Sequence, residues 1–314
     1  MKTIIVTPRS LSSPPHPLLD GFRDAGFEVV FPSPGKQPSE EELLAAIPDA
    51  VGFLAGVEPI SARVLDAAKN LRAISRNGTG VDNIDLDATE RLGIAVLRAE
   101  GANARGVAEL AFAHMLAAVR DVVNSSTEIR SGRWTRTKGI ELFGRRLGLI
   151  GCGRVGKMVA ELGVAFGMVV RAYDPYPDTG FKPVSAKGGA GEFAYASFDE
   201  VVADADVVSL HSPTPADGSP VIDARALGLM KKGVVIVNTA RYELLDAAAV
   251  LAALENGAVG AVTLDAFAEE PPKDRRLVDH PRVISTPHIG GFTTESVDRA
   301  SEAAVENLLV ALTK

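Results

Sequence analysis

Short apolar runs alternate with helical patterns along the whole chain. Over the first hundred residues, runs at 4–6, 27–31, 50–54, 71–74 and 94–97 read as strands. Between them, 17–25, 40–47, 62–69 and 86–92 carry the spacing of helices. Strand and helix in regular alternation predict crossover units and a parallel sheet. Residues 103–120 then predict one long helix with small and apolar residues on most faces. Such a helix is expected to be buried between domains. A polar stretch at 125–138 follows. A second alternating series begins at Leu147, with strands at 147–150, 169–173, 207–210, 234–238, 261–264 and 283–285. Six strands with intervening helices suit a doubly wound nucleotide-binding sheet. A last helix over 293–312 comes after that series ends, and by pattern alone it could pack on either domain.

Length and composition narrow the class. A chain of 314 residues exceeds one ordinary core and fits two domains. The net charge of −7 argues against a nucleic-acid partner, which would present a basic face or tail. It leaves room for an anionic substrate, because a few local arginines can override the global sign. Cys152 is the only cysteine, so neither an intramolecular disulfide nor a cysteine metal cluster is expected. A reducing cytoplasm is the simplest home. The N-terminal apolar run is only Ile4, Ile5 and Val6, short of the ~7–15 residues of a signal core. The longest apolar stretch, 162–170, is far below the roughly 20 residues of a membrane span, so no membrane association is expected.

The clearest chemistry lies where the second series begins. Leu147-Gly-Leu-Ile-Gly151-Cys152-Gly153-Arg154-Val155-Gly156 is a strand running into G-x-G-x-x-G, with a helix following. Gly151 permits the tight turn, Gly153 lets backbone approach a pyrophosphate, and Gly156 allows close helix–strand packing. The helix N-terminus then offers free N–H groups and a positive dipole end. The next strand ends in Asp174, at the spacing of an acid that binds ribose hydroxyls. That carboxylate would repel a 2′-phosphate, so NAD is favoured over NADP. A solvated strand-end carboxylate is the plain alternative. Cys152 reads as a small, inert filler.

Hydride transfer to a 2-keto acid needs a proton donor, a cation for the carboxylate and a carboxylate to orient the donor. Of five histidines, His114 lies mid-helix and reads as a packed core residue. His16 and His280 sit in loops. His211 ends a strand beside Ser212, where cofactor contact is plausible. His288 sits in Thr286-Pro-His-Ile-Gly290-Gly291, a turn after the last strand, at the sheet edge where ligands bind. From the residues alone His288 is the best candidate acid/base, with a structural role as the alternative. Arg241 follows another strand and points from the same edge. Glu269 and Glu270 precede Pro271 and Pro272, and a surface pair is the plain reading of them.

Several motifs agree on one family. Gly78-Thr-Gly-Val-Asp-Asn-Ile-Asp85, the 151–156 loop, Ser209-Leu-His-Ser-Pro213, Asn238-Thr-Ala-Arg241, Leu264-Asp-Ala-Phe-Ala-Glu-Glu-Pro-Pro272 and Thr286-Pro-His-Ile-Gly-Gly291 follow in order. Together they resemble the signatures of the D-isomer-specific 2-hydroxyacid dehydrogenases, with the phosphoglycerate dehydrogenase branch most similar. The resemblance covers the chain from about residue 45 onward. It implies a catalytic triad of Arg241, Glu270 and His288. His288 would protonate the carbonyl oxygen, Glu270 would stabilise the imidazolium, and Arg241 would hold the carboxylate and carbonyl. It places Asp265 on the nicotinamide carboxamide and Arg154 and Val155 at the pyrophosphate. Val107, Thr79, His211, Ser212, Thr239, Ala240, Gly290 and Gly291 fall along the cofactor. Arg76, Asn77, Gly78 and Thr79 fall at the substrate, with backbone N–H groups of 77–80 on its carboxylate. The implied fold is two doubly wound parallel-sheet, Rossmann-like domains with a discontinuous substrate domain. Residues 1–99 and 291–314 would form a flavodoxin-like substrate domain, and 100–290 the NAD-binding Rossmann domain. A cleft between them would close over the substrate. The Ser131-Gly-Arg-Trp-Thr-Arg136 segment is similar to an arm used in dimerisation, so a homodimer is expected.

Three departures bear on the substrate. Tyr242 and Glu243 follow Arg241, where the family has glycines. Arg76 and Arg136 match phosphate-binding arginines of the phosphoglycerate branch, but another Arg, expected near Gly56, is missing. Loss of one bidentate Arg weakens the case for a dianion. 3-Phosphoglycerate, hydroxypyruvate, glyoxylate and sugar-derived acids therefore all stand as candidates. The sequence ends at Lys314, so the regulatory domains of longer phosphoglycerate dehydrogenases, with their feedback by serine, are not expected. The same fold and triad also resemble NAD-sensing transcriptional corepressors, which leaves a scaffold without turnover as the alternative of another class.

Overall fold

A computed structural model describes residues 2–183 and 191–314. The chain divides into two compact units, Met1–Asn103 with Thr294–Lys314, and Ala104–Thr293. The breaks fall three or four residues later than the sequence suggests, at the start of the helix Ala104–Val119 and of the last helix.

The first unit carries β1 (Lys2–Val6), β2 (Phe27–Val30), β3 (Ala50–Ala55), β4 (Ala73–Arg76) and β5 (Ala95–Arg98). They form a five-stranded sheet in the order β2-β1-β3-β4-β5 with every pairing parallel. This is the flavodoxin-like order, with its switch point between β1 and β3. Short side-chain caps set the helix starts. Ser39 and Glu42 make a reciprocal capping box, and Asp85 accepts from Ala88 N. The last helix, Thr294–Thr313, buries Ala304, Leu308 and Leu312 among Ile4, Val6 and Leu54. Gly52 makes room for it, since a Cβ there would lie 2.6 Å from Leu312 Cδ1. Arg72 donates to Leu312 O at 3.2 Å and so caps the carboxyl end of that helix.

The second unit carries β6 (Arg146–Ile150), β7 (Val169–Tyr173), β8 (Glu192–Tyr195), β9 (Val207–Leu210), β10 (Val234–Asn238), β11 (Val259–Leu264) and β12 (Val283–Ser285). Among the described residues they make a seven-stranded parallel sheet in the order β12-β11-β10-β9-β6-β7-β8. This is the Rossmann order extended by one strand, with the switch point between β6 and β9. Two elements differ from the sequence reading. Strand β8 joins the six expected, because Glu192–Tyr195 is too short for its alternation to register. The polar stretch contains a helix, Val122–Arg130, which buries no residue and therefore shows no apolar stripe. The helix Ala104–Val119 packs Ala108, Ala111, Phe112 and Met115 into the core of this unit. It leaves Arg105, Glu109 and Ala113 exposed. No helix is long and apolar enough to cross a membrane, and no metal-binding cluster occurs among the described residues.

Candidate active site

The glycine loop lies at the switch point of the seven-stranded sheet. Gly151 N donates to Tyr173 O at 2.8 Å, and His211 N donates to Ile150 O at 2.7 Å, so β7 and β9 grip the loop from both sides. Gly151 has φ +91°, and a Cβ there would lie 2.6 Å from the His211 carbonyl. A Cβ on Gly156 would lie 2.2 Å from Gly151 O, so helix and strand approach too closely for any side chain. Gly153 differs: a Cβ would meet nothing within 4 Å. It caps the helix Arg154–Ala165 with no side-chain hydrogen bond. Open space in front of an uncapped helix N-terminus fits a pyrophosphate. Asp174 turns back to the same loop. Its Oδ2 accepts from Cys152 N at 2.7 Å and its Oδ1 from Tyr176 N at 2.8 Å. Each carboxylate oxygen keeps a further lone pair for a ribose hydroxyl.

Along the same edge, the hydroxyls of Ser212 and Thr239 are buried without a partner among the described residues. Orphaned hydroxyls beside the glycine loop fit a polar ligand there. The His211 ring engages Ser209 Oγ through Nε2 at 2.8 Å, and its Nδ1 is buried. Burial pushes this imidazole down to about 4, so it is neutral at physiological pH. Its side chain is therefore part of the sheet edge, and its carbonyl faces Gly151.

Arg241, Glu270 and His288 follow β10, β11 and β12, three adjacent strands. Asn238 shapes the turn before Arg241. Its Nδ2 donates to Arg241 O at 2.8 Å, and its Oδ1 accepts from Ala240 N at 3.1 Å. Arg241 Nη1 donates to Ala240 O at 2.9 Å. Tyr242 stacks near Phe267, with centroids 6.4 Å apart, and lies close to Asp274 and Arg276. It thus supports the loop that carries Glu270. Of the two neighbouring glutamates, Glu269 pairs with Lys273 at 2.9 Å, and Glu270 meets His288.

His288 Nδ1 and Glu270 Oε1 are 2.8 Å apart. Oε1 also accepts from Phe267 N at 3.2 Å, which aims the carboxylate. An Nδ1–H donated to Glu270 leaves Nε2 as the ring nitrogen for proton transfer. His288 has φ +52°, a left-handed conformation uncommon outside glycine and a mark of a constrained position. Buried Asp265 holds this turn. It accepts from Ile289 N at 2.9 Å, Gly290 N at 2.7 Å and Thr286 Oγ1 at 2.6 Å. His114 Nε2 lies 3.1 Å from Thr286 Oγ1, so this histidine is buried as expected but hydrogen-bonded to the turn of His288. Val107 stands against Gly290, where a Cβ would lie 3.3 Å from Val107 Cγ2.

In the other unit, Asn77 N donates to Ala55 O at 2.8 Å and Gly78 has φ +152°. Thr79 Oγ1 is hydrogen-bonded to Ala99 O and Asn103 Oδ1. Arg76 folds back over this loop, its Nη1 donating to Asn77 O. Arg136 and Trp134 are exposed on the segment after Arg130, and Trp134 is 82% exposed. Glu128 locks that segment by accepting from Arg133 Nε at 2.8 Å and Thr135 Oγ1 at 2.9 Å. These bonds hold its carboxyl down at about 2. Sequence reasoning missed Asn238, Thr286 and Glu58. The first two stand inside quoted motifs, and the third stands beside the position that lacks an expected arginine.

Residues 112–290 match the family model of the D-isomer specific 2-hydroxyacid dehydrogenase NAD-binding domain. A D-3-phosphoglycerate dehydrogenase of Mycobacterium bovis is 38% identical over 278 residues, covering 88% of this chain and 52% of that protein. The chain therefore spans about half the length of that relative. A glyoxylate reductase from Paecilomyes thermophila superposes with a TM-score of 0.84 at 29% identity, covering 100% of this chain and 96% of that one. A D-lactate dehydrogenase from Aquifex aeolicus, solved with NAD and lactic acid, gives 0.82 at 26% identity, covering 99% and 95%.

Proposed function

The chain belongs to the D-isomer-specific 2-hydroxyacid dehydrogenase family, and we propose that it interconverts a small D-2-hydroxy acid and its 2-keto acid with NAD. The observation that carries this reading is the 2.8 Å contact between His288 Nδ1 and Glu270 Oε1, on the sheet edge that also bears the glycine loop. The nicotinamide cofactor, when bound, would supply a hydride for C2 as NADH in reduction and accept it as NAD+ in oxidation. The backbone at 151–156 would hold the pyrophosphate, and Asp174 the ribose hydroxyls. Ser212 and Thr239 offer hydroxyls along the cofactor. Arg241 binds the acid by its carboxylate and polarises the carbonyl. In reduction His288 Nε2 gives its proton to the carbonyl oxygen, and in oxidation it takes that proton back. Glu270 keeps the ring oriented and stabilises the imidazolium. Asp265 holds the 286–290 turn, with acceptor capacity left for a carboxamide. The N–H groups of 77–80, assigned on resemblance, supply further donors for the acid carboxylate. The exposed arm around Trp134 offers a surface for a second copy, giving a homodimer, and the lone buried thiol suits the reducing cytoplasm.

The test is a panel of 2-keto acids with NADH and with NADPH, followed by the absorbance of the reduced cofactor. The panel includes hydroxypyruvate, 3-phosphohydroxypyruvate, glyoxylate and sugar-derived acids. Turnover of at least one is expected, with NADH preferred. Hydrogen bonds to a charged acceptor are worth about 1.5–3 kcal/mol, or about 10- to 100-fold, at Asp174. Tight NADH binding without turnover across the panel would overturn the reading in favour of a scaffold. Better use of NADPH would overturn the role of Asp174.

A further inference from the structure

The switch point of the five-stranded sheet, between β1 and β3, is filled by a carboxylate. Glu58 is 1% exposed, and its Oε1 accepts from Gly56 N at 3.0 Å and from Thr7 Oγ1. Thr7 follows β1 and Gly56 follows β3, so Glu58 ties the two ends together. Its backbone is fixed as well: Asn83 Nδ2 donates to Glu58 O at 2.6 Å, and Ile60 N to Asn83 O at 2.7 Å. This is where an open parallel sheet binds its ligand.

Two consequences follow from that placement. Position 56 is closed to a side chain, because a Cβ on Gly56 would lie 2.7 Å from Glu58 Oε2. An arginine near Gly56 and the Glu58 carboxylate thus compete for one space. The neighbouring cation is also already committed. Arg76 is paired with Ala55 across β3 and β4, and its guanidinium lies back over Gly78, 2.7 Å from where a Cβ would stand. It interacts electrostatically with both Glu58 and Asp82. Burial pushes the Glu58 carboxyl up and pulls the Arg76 guanidinium down, each opposed by the other's charge. One cation therefore stands against two carboxylates. A phosphate dianion needs the opposite balance, with bidentate donors facing it.

We propose that Glu58 is a specificity-determining residue that turns phosphorylated acids away from this edge, so that the substrate is a short 2-keto acid whose only charge is its carboxylate. This rests on the dehydrogenase reading above, with the 77–80 loop at the acid.

The experiment compares kcat/KM for hydroxypyruvate and 3-phosphohydroxypyruvate, with NADH, in the wild type and in Glu58→Gln. The wild type is expected to favour hydroxypyruvate. The variant should shift the ratio toward the phosphorylated acid by about tenfold or more, since a like charge near the site is removed. NADH binding by the variant serves as the folding control. A second measurement uses the wild type alone: D-glycerate should inhibit hydroxypyruvate reduction more strongly than 3-phosphoglycerate. A wild type that prefers the phosphorylated acid, a ratio unmoved in Glu58→Gln, or stronger inhibition by 3-phosphoglycerate would overturn the proposal while leaving the dehydrogenase intact. Reduction of neither acid nor of any other 2-keto acid would overturn the dehydrogenase reading itself.

Discussion

The two sheets end in edges that treat charge in opposite ways. After β11 and β12, His288 and Glu270 meet with side chains 52% and 42% exposed, and the backbone N–H of Phe267 aims the carboxylate. Buried Asp265 in the same region takes three hydrogen bonds from the turn it supports. After β3 and β4, buried Glu58 stands near half-buried Arg76, whose guanidinium interacts electrostatically with both Glu58 and Asp82. A group that must gain and lose a proton in each cycle belongs in a polar, half-open setting, where neither charge state is heavily penalised. A group that only selects by charge can be buried and fixed. On the reading proposed above, the difference separates reaction from recognition on two sheets of similar architecture.

The largest expected effect tests the reactive edge. Replacing His288 by Asn removes the proposed proton donor and keeps a polar side chain at that position. Turnover should fall by about 10²–10⁴-fold, the usual contribution of general acid–base catalysis, with NADH affinity unchanged. An unchanged rate would remove His288 from the chemistry. Glu270→Gln is milder. The amide can still accept Nδ1–H, but the charge that stabilises the imidazolium is gone. A charged hydrogen bond of about 1.5–3 kcal/mol predicts a loss of about 10- to 100-fold in kcat, with little change in KM. A change confined to KM would instead make Glu270 a binding residue.

Much of this arrangement is legible in the chain itself, and the reasons are local. Parallel strands buried on both faces appear as plain apolar runs, and the loops after them carry motifs of fixed spacing. The run Leu147–Gly156 shows strand, turn and helix together, and Asn238-Thr-Ala-Arg241 contains both the catalytic candidate and the side chain that shapes its turn. What escapes is long-range or depends on burial. The contact of His114 with Thr286 spans 172 positions and leaves no periodic trace. Glu58 looks like any loop glutamate until the closeness of Gly56 and Thr7 is known. Composition does not separate Glu269 from Glu270; the family motif selects Glu270, and it is Glu270 that reaches Phe267 N and His288. The helix Val122–Arg130 escapes because it buries nothing, so no hydrophobic stripe marks it.

The smallest expected effect lies in stability, and here the two edges respond to pH with opposite signs. Burial holds His211 at about 4, below the usual 6.5 of a histidine. Between those values the unfolded chain binds a proton that the folded chain refuses. Its contribution is therefore full above about pH 6.5 and is lost as the pH falls. At pH 5 the loss is about 2 kcal/mol, from a gap of about 1.5 pH units. Glu58 acts in the other direction. Its carboxyl is raised by burial, so the folded chain keeps a proton that the unfolded chain releases. That contribution is present at low pH and is lost as the pH rises above the usual carboxylate range. Urea midpoints at pH 5 and pH 7.5 separate the two. The His211→Gln variant should lose less stability on acidification than the wild type. Glu58→Gln should show a steeper gain between pH 5 and pH 7.5, because the opposing contribution has gone. Parallel profiles for all three proteins would mean that neither group is as desolvated as its surroundings indicate. The contrast between the two edges would then rest on the exposed pairing of His288 with Glu270 alone.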